Sequence, residues 1–291
     1  MLVLRPSALS FPLVGLLLCA AAATSAAESD WQKSYPVSGK PSLFISTGDS
    51  STEVRSCGSC REVHVRVEWN DRRPDDFNLT ESQSGDHVIF ELKEKPRLGI
   101  RISIGNHHEP RVTVESPNSA DLEARTSDGA LKASGLEGTL VLHTGDGSID
   151  VADAGGSLRL TSSDGSIRLH NVTGTLESHS SDGSVSIDGR LSGLQVHTSD
   201  GRLDVRLADG SQLTSSSRIE SSDGRVTVRL PRTLSADIEV HTGDGKIDCQ
   251  LPITMSGYNS GGGHNIRGHL NAGGVPLTIH TGDGSVTIAA L

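Results

Sequence analysis

From Val112 onward apolar and polar residues alternate with a period of two, and the alternation is broken at regular distances by one phrase: Ser or Thr, then Ser or Gly, then Asp-Gly. Leu140, Leu142 and Thr144 lead into one copy and Ile149 and Val151 lead out; Leu158, Leu160 and Ser162, then Ile167 and Leu169, repeat the scheme. Such alternation predicts strands with one buried face. No stretch of this region has the 3.6-residue period of an amphipathic helix. The eight copies put their acids at Asp128, Asp146, Asp164, Asp182, Asp200, Asp223, Asp244 and Asp283, at spacings of 18, 18, 18, 18, 23, 21 and 39 residues. A fixed period of this length marks a repeat architecture.

Two arrangements fit the unit of strand, tight corner, strand, looser corner. Asp-Gly between alternating runs is a strong hairpin signal and would set Thr144 beside Ile149 and Leu142 beside Val151. An antiparallel meander built this way leaves one apolar face with nothing to cover it. A coil that winds round and stacks on its neighbour buries all apolar positions in a shared interior. The expectation is therefore an all-β parallel β-solenoid with coils of about 18 residues, whose second corner is carried by Gly155-Gly156, Gly174 and Gly193.

Before Pro110 the repeat is less visible. Strands are expected over 42–46, 62–69, 87–92 and 97–104, with Val63, Val65, Val67 and Trp69 on one face, and Thr47-Gly48-Asp49-Ser50 reads as a degenerate first copy of the phrase. Three segments follow: 1–27 as a leader, 28–110 as an irregular β region or cap, and 111–291 as regular repeats. The leader reading rests on Arg5, the apolar run Leu13 to Leu18, and Ser25-Ala26-Ala27 as a cleavage site. The apolar run is short for a spanning anchor. A lipidated Cys19 would want a small residue before it, where Leu18 stands.

Composition sharpens this picture. Aromatics are 3% and glycines number 33, which suits thin layers of aliphatics with many turns. The formal charge is -10, one unit more negative after loss of Arg5, and this argues against nucleic acid and anionic membrane surfaces as partners.

The run Val112 to Pro117, then Ala120 to Gly129 and Gly135 to Ile149, together with Gly268 to Gly274 and Leu277 to Ile288, resembles the DUF4097 family of secreted bacterial proteins regarded as adhesins. The resemblance covers most of the mature chain. It implies a right-handed parallel β-helix in a secreted, periplasmic or cell-surface protein, and it brings no catalytic residues. The Cys57-Gly58-Ser59-Cys60 segment departs from the family pattern.

Stacked coils would bring the aspartates into one column. Each glycine that follows them (Gly129, Gly147, Gly165, Gly183, Gly201, Gly224, Gly245 and Gly284) is expected to supply a positive φ, and each Asp to accept hydrogen bonds from amides of its own turn. A calcium ladder is the rival reading, against which stands the absence of a nine-residue Gly-Gly-x-Gly-x-Asp repeat. Three residues before five of the aspartates lie His143, His179, His197, His241 and His280, expected to point outward as a solvated face or to take a transition metal. Cys57 and Cys60 lack the strand-to-helix setting of redox catalysis; in an oxidising envelope they read as a disulfide, with a pair of free thiols as the alternative. Cys249 reads as a buried stand-in for Val. Gly261-Gly262-Gly263 has no phosphate-loop context and marks one coil expanded into a loop.

No cofactor or catalytic residue is read from these patterns. The function expected is a non-enzymatic binding scaffold for an envelope or carbohydrate ligand. A polysaccharide-active enzyme is the competing class, and it would need a carboxylate pair that departs from the repeat, such as Asp204 with Asp209 or Asp75 with Asp76. Capping of the stack's edges is left open by the sequence: a last strand at Ser285 to Ala289 would invite pairing with another chain if exposed, and sites are sought where the rhythm breaks, at 57–60, 208–217 and 256–274.

Overall fold

The computed structural model describes residues 30–96, 108–255 and 264–291. The leader at 1–27, the strand expected at 97–104 and the glycine run 261–263 lie outside the described residues. The described chain is all-β, a single sheet of 23 strands with one turn of 3-10 helix at Pro74–Asp76. The first seven strands are β1 (Trp31–Pro36), β2 (Ser42–Thr47), β3 (Ser51–Ser56), β4 (Glu62–Glu68), β5 (Phe77–Ser84), β6 (His87–Glu94) and β7 (Arg111–Ser116). The next ten are β8 (Asp121–Arg125), β9 (Leu131–Ser134), β10 (Glu137–Thr144), β11 (Ile149–Ala152), β12 (Gly155–Ser162), β13 (Ile167–Ser180), β14 (Val185–Thr198), β15 (Leu203–Leu207), β16 (Ser217–Ser221) and β17 (Val226–Leu230). The last six are β18 (Ala236–Thr242), β19 (Ile247–Cys249), β20 (Ile253–Met255), β21 (Asn265–Leu270), β22 (Pro276–Thr281) and β23 (Val286–Ala290).

Each repeat contributes to two parallel ladders that meet at the Asp-Gly corner. Leu122, Leu140, Leu158, Leu176 and Leu194 are successive partners in the ladder before the corner. Leu131, Ile149, Ile167, Val185, Leu203 and Val226 are successive partners in the ladder after it. All of these side chains are buried. Thr144 and Ile149 thus belong to different ladders, and the corner is not a hairpin.

Parallel pairing does not run the whole length. At the N-terminal end β4 lies antiparallel on β7, β1 on β4, and β5 on β6. At the C-terminal end β21 lies antiparallel on β18 and β20 on β21. The N-terminal cap holds the larger side chains: Tyr35 is buried, Trp31 meets Phe90 at 5.5 Å between ring centroids, and Trp69 meets Phe77 at 5.8 Å. Capping of this kind protects an open stack from pairing with other chains.

Spatial order also departs from chain order at both ends. The β2–β3 coil lies between β6–β7 on one side and β8–β9 on the other. The β22–β23 coil lies between β16–β17 and β18–β19. The last strand is therefore not an open edge, because β23 is paired along both sides. The 39-residue gap between Asp244 and Asp283 likewise holds more than one loosened coil: β20 and β21 close the end, and the chain then returns into the stack.

The corner glycines are not where positive φ is needed. None of the eight lies in the left-handed region, which is occupied by Gly135, Asp153 and Asn171 after the second ladder and by Gly156 and Gly174 at the looser corner, though not by Gly193. What forbids a side chain at the Asp-Gly corner is the neighbouring coil. A Cβ on Gly147 would lie 2.1 Å from the Gly129 carbonyl oxygen, and one on Gly165 would lie 1.8 Å from that of Gly147. The hydrogen-bonding role expected of Asp belongs to the first residue of the phrase: Gly147 N–H donates to Thr144 Oγ1 at 3.2 Å and Gly245 N–H to Thr242 Oγ1 at 3.1 Å. Those buried hydroxyls donate in turn to the coil beneath, as Thr242 Oγ1 does to the Gly284 carbonyl at 2.9 Å.

One interior column carries a defect. Leu142, Leu160, Ser178 and Val196 are successive inward partners, and the Ser178 hydroxyl is buried with no hydrogen-bond partner. Ser178→Ala is expected to raise the unfolding free energy by about 1 kcal/mol, since an unsatisfied buried hydroxyl costs roughly that much or more. Urea titrations of the two proteins check it.

Candidate functional site

The stack gathers the phrase aspartates on one ridge in the order Asp49, Asp128, Asp146, Asp164, Asp182, Asp200, Asp223, Asp283, Asp244, and all are exposed. At the N-terminal end of the ridge, burial pushes the Asp49 carboxyl up, Asp128 and Glu94 add repulsion, and Arg72 opposes them. Among the described residues no three His, Cys, Asp or Glu side chains already converge as a metal site.

The outward histidines are where alternation predicts, but they are not equivalent. His143 stands between Arg125 and Thr161, whereas His179 lies beside His197 and His280 beside His241. Cys57 and Cys60 are joined by a disulfide across a turn. Cys249 is half-buried beside Ile288, and burial pushes its thiol up. Asp204 pairs with Arg229 at 2.7 Å rather than with Asp209, and Asp75 and Asp76 sit in the 3-10 turn. The break at 208–217 is tucked against the stack through buried Ser211 and Leu213.

Among the described residues, a shallow depression of about 450 Å³ interrupts the polar outer surface on the ladder before the corner, at its N-terminal end. Its floor is an outward row in which Ile89, Phe44, Glu123 and Val141 occupy successive positions. Asp121, Glu91 and His87 contribute to its rim. Arg125 reaches across this row, with its guanidinium 5.9 Å from the Phe44 ring centre and 2.6 Å from a Glu123 oxygen. Asp121 accepts from Lys40 Nζ at 2.6 Å and from the Thr139 amide at 2.7 Å. Burial pushes the Asp121 carboxyl up, but these two donors outweigh it and hold the group below the ordinary carboxylate range.

This depression was not anticipated from the sequence. A signal was present in three runs where alternation fails, Leu43-Phe44-Ile45, Val88-Ile89-Phe90 and Leu140-Val141-Leu142. Each puts an apolar side chain on the face that should be polar. Only the stacking order, with β2 between β6 and β8, brings the three runs together.

A family model described as Toastrack DUF4097 matches residues 42–289. The chain belongs to this family. Among solved structures, this Toastrack chain is similar to a candidate adhesin from Bacteroides fragilis NCTC 9343, with 12% identity, 91% of this chain and 98% of that chain covered, and a TM-score of 0.50. It is also similar to a candidate adhesin from Parabacteroides merdae ATCC 43184, at 11% identity with 90% and 97% covered and a TM-score of 0.47. A third likeness is to a protein described as a candidate lipid-binding protein from Parabacteroides distasonis ATCC 8503, at 11% identity with 90% and 97% covered and a TM-score of 0.37. At such identities the Bacteroides fragilis likeness shows the fold alone. No curated protein matches the chain. Among the described residues no helix is long and apolar enough to cross a membrane.

Proposed function

We propose that this Toastrack chain is a non-enzymatic, adhesin-type scaffold of the cell envelope or extracellular space, exported by the leader at 1–27, that holds a carbohydrate or another envelope component in the Phe44 depression. The finer geometry of the reading is a right-handed solenoid with coils of about 18 residues; partner numbers such as Leu140 with Leu158 and Leu158 with Leu176 support the coil length. The observation that carries the functional reading is an aromatic face set among carboxylates on a rigid ladder. The ring offers an apolar surface to the C–H face of a sugar, and the carboxylates offer acceptors to its hydroxyls.

The same groups support binding over hydrolysis. A glycosidase needs one protonated carboxyl to donate to the leaving group. Asp121 is held ionised by Lys40 and Thr139, and Glu123 is paired with Arg125. Binding of purified envelope polysaccharides, measured on an array with reducing-end release followed in the same incubation, tests the reading. Retention without cleavage, lost in Phe44→Ala, is the expected result; cleavage, or binding indifferent to Phe44, overturns it.

Calcium is not assigned to the ridge, because its corners are already held by Thr and Ser hydroxyls and by backbone hydrogen bonds between coils. Melting curves in excess calcium and in chelator are therefore expected to coincide.

A further inference from the structure

The outward position just before the buried hydroxyl of each phrase forms one column down the ladder. Over its last five places that column reads His179, His197, Glu220, His280, His241, and the next strand adds Asn265. In the earlier part of the column Ser46, Arg125, His143 and Thr161 stand at equivalent places, so the fold itself does not demand histidine there. The rings of His179 and His197 stack with centroids 5.1 Å apart and planes 6° from parallel, and those of His241 and His280 stack at 5.0 Å and 8°.

We propose that this column binds two divalent transition-metal ions of the zinc, cobalt or nickel class, one at each histidine pair, with Glu220 joining the His179–His197 ion. Imidazole nitrogen is the natural donor for such ions, and two metal–nitrogen bonds of about 2.0–2.1 Å set their nitrogens roughly 3.4 Å apart at a tetrahedral angle. Closing the rings from 5 Å to that separation needs only rotation of exposed or half-exposed side chains on fixed, in-register strands. Glu220 is placed for its role: its Oε2 lies 3.8 Å from His197 Nδ1, and its Oε1 is steadied by Arg218 at 2.8 Å. His241 Nδ1 lies 2.6 Å from Asn265 Oδ1, so the amide oxygen holds the Nδ1 proton and leaves Nε2 free for the ion. A carbonyl partner behind a metal-ligating histidine orients the ring in this way. Asp182, Asp200, Asp223, Asp283 and Asp244 stand three residues further along the same coils and raise the local concentration of cations.

The test is equilibrium dialysis of the untagged full chain against zinc, repeated with cobalt to read ligand-field spectra. Two ions per chain are expected. His179→Gln with His197→Gln should leave one ion, as should His241→Gln with His280→Gln, while His143→Gln, in the same column but without a histidine neighbour, should leave two. Asn265→Ala should weaken one ion roughly tenfold. Because the substituted side chains sit on the outer face, unchanged melting temperatures verify folding. Absence of saturable binding, or two ions retained when all four paired histidines are replaced, overturns the proposal.

Discussion

Gly165→Ala is expected to cost more than ~3 kcal/mol or to prevent folding, whereas Gly48→Ala should change stability by less than ~0.5 kcal/mol. Both glycines lie in corners of the same type, Gly165 as the fourth residue of its phrase and Gly48 as the second, before the aspartate. A Cβ at Gly165, however, would sit 1.8 Å from the Gly147 carbonyl oxygen and 2.9 Å from that of Asp146, while one at Gly48 meets nothing within 4 Å. The oxygens are backbone atoms in a hydrogen-bonded ladder, so they cannot yield without separating coils. Asparagine separates this cause from a backbone one: it is tolerated where φ is positive but adds bulk where space is lacking. Gly165→Asn should therefore be at least as damaging as Gly165→Ala. Chemical denaturation of the three variants decides, and a mild Asn variant would return the corner to a dihedral explanation.

Deletion of residues 276–291 is expected to destroy far more than one repeat. In a simple solenoid the last coil touches one neighbour, and its loss shortens the stack. Here β22 and β23 are the shared partners of β16, β17, β18 and β19, and β19 has no other strand partner among the described residues. Removing them opens both ladders and exposes four strand edges to water and to other chains. Limited proteolysis is expected to find residues 217–255 cut readily while 121–207 stay protected. Equal protection of 217–249 in the deleted and full chains would contradict the intercalated order.

Much of the stack was legible because the phrase couples two signals, a period-two apolar pattern and a fixed distance between corners. Leu140, Leu158 and Leu176 could be put in register from spacing alone. The ends could not, because a strand's alternation says which face is buried and nothing about which strand lies beside it. Val286 and Ile288 look the same in sequence whether they are edge or interior residues. The glycine role is ambiguous in sequence for a related reason: glycine is required both by positive φ and by close approach, and only the neighbouring coil tells the two apart. The Phe44 depression was hidden at the same level. Its three apolar outward residues come from runs at 43–45, 88–90 and 140–142, and they become one surface only through the displaced order of β2 and β6.

The displaced ends also separate two timescales in the life of the chain. In the middle, a corner hydroxyl reaches a coil only 15 or 17 residues back, as Thr144 does to Gly129 and Ser127, so coils can zip up as the chain emerges. At the ends the same contact spans 78 residues from Thr126 to Gly48 and 59 from Thr281 to Ser222. Closing loops of that length is entropically slower, and closing the β22–β23 coil must wait until residues 276–290 have been synthesised. The final coil then enters as a keystone between strands laid down earlier, so a truncated or interrupted chain is left open at the place where an intact one is locked.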